Sequence, residues 1–311
     1  MLVQDREAVD AFRARPAPIH NMVEKGILTL TGSNTIAQAW RAVVSTQDVV
    51  GIKVVSGPGP NSGTRPAVVA AVIEGLLAAG VPPRHIVIWD RRLTDLRLAG
   101  FDDLMKQYGV RLAGSMQAGY DEKTFYDVAL LGTLVWGDLE FGKKGERVGR
   151  RSFVSKLLTH DITKVISITP LLNDNAAGVS GHLSGLALDS VDNVGRFESD
   201  PGRLAMAVPE LYALRALGDK VVLNITDALI CQYEGGERGL LHFSATLNQL
   251  WFSKDPVALD VLSLKVLDEQ RKKADAPPVK PNTELYDNAA LLQLGTNDAK
   301  GIKADLIKIG E

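Results

Sequence analysis

The sequence predicts an α/β fold, a mainly parallel sheet flanked by helices on both faces. Three observations carry this. Short apolar, β-branched runs recur at 48–55, 85–89, 163–169 and 220–225. Helical patterns separate them, as crossovers between parallel strands require. Several runs end in polar residues: Asp90, the triplet Asn173-Asp174-Asn175, and Asp227. Polar strand ends are where open α/β sheets bind ligands.

Residues 5–15 and 34–44 read as amphipathic helices, with Asn34 in the capping position of the second. Asp48 to Val55 reads as a buried strand and is followed by the loop Ser56 to Thr64. Pro66 opens a helix through Ala79, and Gly80 ends it. His85 to Trp89 is the parallel partner strand, ending at Asp90-Arg91. Residues 93–108 read as helix and 110–112 as a short strand. An irregular excursion, a hairpin or flap, covers 114–152. Strands are expected at 163–169, 220–225, 246–252 and 305–309, and helices at 177–188, 203–217, 255–274 and 284–294.

The 311 residues are 45% hydrophobic and 23% charged, with a formal net charge of -2, an ordinary globular composition. They are read as one α/β domain over 1–311. The balanced charge gives no reason to expect nucleic acid or an anionic membrane as partner. The apolar runs fall short of the ~20 residues a membrane span needs. The expected partner is a small-molecule ligand, and a homo-oligomer is left open. The single cysteine, Cys231, cannot form an internal disulfide. Nor can it hold an iron–sulfur cluster, which takes about four. The cofactor stays unassigned, and no residues are singled out as metal ligands. Without a visible leader the expected compartment is the cytoplasm, or an exported one if a leader is removed.

The loop Gly57 to Thr64 resembles a phosphate cradle ahead of a helix N-terminus. It lacks the Gly-Lys-Ser/Thr ending of a P-loop and the glycine spacing of a dinucleotide fingerprint. Asn61 and Thr64 are its candidate ligand contacts. Lys53, inside an apolar strand, calls for a carboxylate, because buried ammonium groups are rarely unpaired. Asp90 and Asp227 are the two candidates. Together they form a candidate acid/base pair. Gly178-Val-Ser180-Gly-His182 misses the nucleophile elbow, since His182 stands where glycine is required. His182 is the best titratable candidate among five histidines. Asp189, Asp192, Asn193, Glu198 and Asp200 offer oxygen donors without calcium-loop spacing. Asp255 reads as the cap of the helix after it, a role that does not explain Asp260.

Several segments together resemble the family called domain of unknown function 362. They are Val50-Gly-Ile-Lys-Val54, the Gly-rich loop with Thr64 and Pro66, Ile88-Trp-Asp-Arg91, 171–181, 190–197, the strand ending at Asp227, and Asp255 to Asp260. Their order spans about residues 25 to 310. The resemblance implies no assigned activity. Relatives carrying ferredoxin-like cysteine clusters find no counterpart here, and neither does the twin-arginine leader of many others. Relatives commonly place lysine and histidine where this chain has Asn173 and Asn175. They place Lys-Asn at Ser184-Gly185 and asparagine at Val55.

Three functions are open. The first is an enzyme on a small anionic molecule, with Asp90, Asp227 and His182 as catalytic candidates. Lys53, Asn61, Thr64, Arg91, Asn173, Asp174, Asn175 and Asn193 would contact the ligand. The second is a non-catalytic binding or accessory protein using the same crevice. The third is a metal-assisted hydrolase or lyase.

Overall fold

The computed structural model describes residues 1–128, 149–277 and 281–310. Thirteen strands are found among them. They are β1 (Leu2–Asp5), β2 (Val9–Asp10), β3 (Arg13–Ala14), β4 (Val50–Val54), β5 (Ile86–Asp90), β6 (Arg111–Gly114), β7 (Tyr120–Asp127), β8 (Arg151–Ser155), β9 (Lys164–Asp174), β10 (Gly178–Val179), β11 (Val221–Gln232), β12 (Ser244–Ser253) and β13 (Leu306–Ile309). The main sheet runs β13-β1-β12-β11-β9-β4-β5-β6, with β10 hydrogen-bonded to β9. Strands β11, β9, β4, β5 and β6 are mutually parallel, and β1 and β13 run the same way; β12 opposes both its neighbours. This is the mainly parallel α/β sheet that the strand–helix alternation predicts.

Alternating side chains feed two cores. Ile52, Ile88, Ile166 and Ile225 point to one face and meet the helices Pro16–Thr31, Ile36–Arg41, Pro66–Ala78 and Phe101–Tyr108. Val87, Trp89 and Val165 point to the other and meet His182–Asp189, Pro201–Tyr212, Pro256–Lys273 and Thr283–Leu291. Both faces of the central strands are therefore dry, which is why they read as unbroken apolar runs.

The N-terminus departs from expectation. Residues 5–15 are not a helix: β1 pairs with β12, and β2 and β3 form a small hairpin. Ala11 and Phe12 turn that hairpin at positive φ. The local hairpin, with Val9 opposite Ala14 and Asp10 opposite Arg13, takes the place of the expected helix. A helix follows at Pro16–Thr31, with Pro16 in the first turn, where its missing N–H costs nothing. Its buried residues Ile19, Met22, Val23, Gly26 and Ile27 hold helical spacing, a signal open to sequence reading. Gly26 is required there, since a Cβ would sit 2.4 Å from the Phe252 ring.

Smaller corrections follow the same logic. Thr35, not Asn34, caps Ile36–Arg41 by accepting from Gln38 N. The helical stretch 93–108 is two helices, Leu93–Leu98 and Phe101–Tyr108, broken at Gly100 (φ 90°). β9 runs past Thr169 to Asp174, and β11 past Asp227 to Gln232 with a register shift near Ala228. In the 114–152 excursion, β7 pairs antiparallel with β8. Residues 129–148, including most of the basic run, lie outside the described residues.

Candidate active site

After β4 the chain places β5 and β6 on one side, while β9 and β11 return on the other. Such a reversal opens a crevice beyond the carboxyl ends of the strands on either side of it. Lys53 on β4 lies opposite Ser167 on β9 in register, at this point. Its side chain leaves the sheet over the Trp89 ring, 5.6 Å from the centroid.

Lys53 is fully buried and holds two carboxylates. Nζ lies 2.9 Å from Asp90 Oδ1 and 2.8 Å from Asp189 Oδ2, and also donates to Val54 O. Asp90 ends β5 and is closed by the protein: Oδ2 accepts from Ser56 N (2.7 Å) and Ser56 Oγ (2.5 Å), and Oδ1 from Arg91 N (2.8 Å). Asp189 ends the helix His182–Asp189 and keeps 20% of its side chain exposed, against 8% for Asp90. It is the member of the triad that meets solvent.

The three groups titrate unequally. Burial opposes the charge on Lys53, but the two carboxylates outweigh it and hold its pKa above the ordinary lysine value. Burial also opposes the charge on Asp90, yet Lys53 and the Ser56 donors overcome it and lower the pKa. Burial dominates at Asp189, where repulsion from Asp90 adds to it and the pull of Lys53 is insufficient. Its pKa rises to about 7. The negative end of the helix dipole at Asp189 acts in the same direction. One ammonium beside two carboxylates leaves one charge in surplus, and Asp189 carries it.

His182 opens the same helix and is buried. Its Nδ1 lies 2.9 Å from Ser167 Oγ, and Nε2 lies 3.1 Å from Thr226 Oγ1 and 3.3 Å from Thr169 Oγ1. Burial with no carboxylate partner pushes its pKa down to about 3, so the ring is neutral. A neutral ring suits three hydroxyls, each able to donate or accept. His182 is thereby closed off from solvent.

Asp227 stands apart from this group. Its carboxylate takes Arg65 Nη1 (2.9 Å) and Arg65 N (3.0 Å), both residues being buried. The expected pairing of Asp90 with Asp227 does not form, because each has its own cation. Arg65 Nη2 closes the loop by donating to Asn61 O, 3.0 Å away. Thr64 Oγ1 donates to Ile168 O (2.7 Å) and accepts from Val55 N (3.0 Å), tying the loop across β4 and β9. The loop that resembled a phosphate cradle thus spends Thr64 and Arg65 on the protein itself. The Asn61 side chain is exposed.

The triplet 173–175 lies in the β9–β10 hairpin. Asp174 Oδ1 accepts from Ala176 N and Ala177 N, a turn-forming role. Asn173 Oδ1 takes Gly236 N (2.9 Å), and Asn175 is exposed. Arg91, next to Asp90, is partly exposed and lies 3.4 Å from Glu198. Asn193, at φ 50°, donates to Arg151 O at 3.1 Å. Tyr120 at the start of β7 lies within electrostatic reach of Asp189, Asp192 and Arg91. Among the described residues no group of three or more His, Cys, Asp or Glu side chains is arranged to hold a metal ion. No described helix is long and apolar enough to cross a membrane.

Sequence reasoning missed Ser56, Arg65 and Ser167, and took Asp189 only as an oxygen donor. Asp189 follows His182 by two helical turns, a spacing that places both on one face. No protein-family model matches the chain, and no curated protein does. The chain is similar to a Thermotoga maritima protein of solved structure, at 11% identity and a TM-score of 0.42. The match covers 86% of this chain and spans 60% of that one.

Proposed function

We propose that this protein is an enzyme that moves a proton on a small polar molecule, with Asp189 as the general acid and base. One observation carries the reading: two carboxylates share the buried Lys53 ammonium, and the partly exposed one titrates near neutrality. Proton transfer is most efficient when the pKa of the group lies near the working pH. Lys53 and Asp90 remain charged and fix the position of Asp189. His182 holds Ser167, Thr169 and Thr226 beside them without exchanging protons. Lys53 is neutralised within the protein, so an anionic group on the ligand would be met by the partly exposed Arg91. Closure of Lys53 and His182 to solvent also favours a second reading, ligand binding without turnover.

The test compares the parent protein with D189N and, as a control, E198Q. A library of small polar carboxylates and phosphates is incubated with each, and conversion is followed by mass spectrometry. Conversion by the parent and E198Q but not by D189N supports proton transfer. Conversion retained by D189N overturns the role of Asp189. Binding without conversion by any of the three proteins gives the second reading.

A further inference from the structure

The helix His182–Asp189 carries a candidate site residue at each end. They stand seven positions apart, two turns, so they share one face about 10 Å apart along the axis. That face lies on the sheet: a Cβ on Gly185 would contact Val55 and Thr169. A short helix exposes four unpaired N–H groups at its start and needs something to hold them. Gly181, the residue before it, has no side chain to offer. Ser184 Oγ accepts the Gly181 N–H at 3.3 Å. The remaining hold comes from outside the helix.

It comes from Asp260, buried on the helix Pro256–Lys273. Oδ1 accepts from His182 N at 2.7 Å and Oδ2 from Leu183 N at 3.0 Å. A carboxylate at that end also complements the helix dipole. The fit leaves no slack, since a Cβ on Gly181 would lie 2.4 Å from Asp260 Oδ1. Capping of its own helix is done by Asp255, which accepts from Ala258 N, so Asp260 is free for this contact.

We infer that Asp260 is a positioning residue for the proposed site: by clamping the start of His182–Asp189 it sets where Asp189 meets Lys53 and Asp90. The inference rests on the proton-transfer reading for its functional meaning. The charged and titratable groups facing Asp189 are Lys53, Asp90 and Tyr120. Those facing Asp260 are Asp255, Tyr212 and Tyr286. None of the second set reaches the first, so the link between the two carboxylates is the helix.

The test is a carboxyl-carbon NMR titration of the full chain, with Asp189 assigned by D189N. Two variants release the clamp in different ways. D260N replaces one acceptor by a donor, and G181A keeps Asp260 but displaces it. D255N serves as control, since it removes a cap from the same helix as Asp260 without touching Gly181 or His182. Asp189 in the parent protein is expected to titrate near neutrality. In D260N and G181A its midpoint falls by about one pH unit or more, a tenfold change in proton affinity, as the helix end gains water. Amide exchange at His182 and Leu183 accelerates in both. D255N lowers thermal stability and leaves the Asp189 midpoint in place.

A parent midpoint in the ordinary carboxylate range overturns the proton-transfer reading and the inference with it. A near-neutral parent midpoint that neither D260N nor G181A moves overturns the inference alone. If D260N fails to fold, G181A decides the matter with Asp260 intact.

Discussion

Two buried ion clusters lie on either side of β9, one built on β4 and β5 and one on β11, and they differ in charge balance. Arg65 and Asp227 form a one-to-one pair in which both carboxylate oxygens and the guanidinium are taken up by the protein. Lys53 faces two carboxylates, one closed by backbone and hydroxyl donors and one partly open to solvent. The first cluster balances one cation with one anion. The second holds a surplus charge that a proton can cancel. Burial alone therefore does not distinguish the two clusters; the count of opposite charges does.

The largest effect expected from breaking this contrast is on the balanced pair. D227A strands a buried guanidinium and should cost about 3–5 kcal/mol in chemical denaturation. The double variant R65M/D227L should recover most of that loss, as apolar replacement of a buried pair often does. A loss well under 1 kcal/mol for D227A would mean that the pair is not a structural lock.

The unbalanced cluster should show itself in the pH dependence of stability. Asp189 and Asp260 both have folded-state pKa values near 7, raised chiefly by burial. Between their ordinary values and about 7 the folded state binds protons that the unfolded state has released. Stability from these groups is thus fully present on the acid side and falls as pH rises toward 7. The slope is on the order of 1 kcal/mol per pH unit for each group. Asp90 acts oppositely: its pKa is lowered, so its contribution is present above the ordinary carboxylate value and is lost in acid. Denaturation across this range should give the falling slope, and D189N should reduce it. A flat profile in D189N and parent alike would remove the contrast.

A smaller effect is expected at the hydroxyl cage. H182F removes the partner of Ser167, Thr169 and Thr226 and should cost about 2 kcal/mol by thermal unfolding. The smallest belongs to the pair Arg91 and Glu198, which are 27% and 34% exposed. E198Q should change stability by less than about 1 kcal/mol, and less still at high salt.

Strands β4 and β5 were legible because both of their faces are buried and the apolar run is continuous. The end of β9 was not, since Pro170 lacks an N–H and Asn173-Asp174 reads as a boundary although it pairs with β10. β1 was illegible because its partner, β12, lies some 250 residues away and local pattern carries no trace of it. At the site, the cost of an unpaired ammonium was enough to send Lys53 toward a carboxylate. Choosing among carboxylates needed the fold, because the helix that brings Asp189 to Lys53 is joined to it only through packing. Asp260 escaped for the same reason: it serves a helix other than its own.

The pairing of β1 with β12 has a consequence for biosynthesis. Leu2, Val3 and Gln4 align with Trp251, Leu250 and Gln249. β1 therefore waits for some 250 further residues to be made before either of its neighbours, β12 or β13, exists. Contacts of such long separation slow folding and prolong the exposure of unpaired backbone. β1, an open edge for that interval, is the segment a chaperone would need to shield.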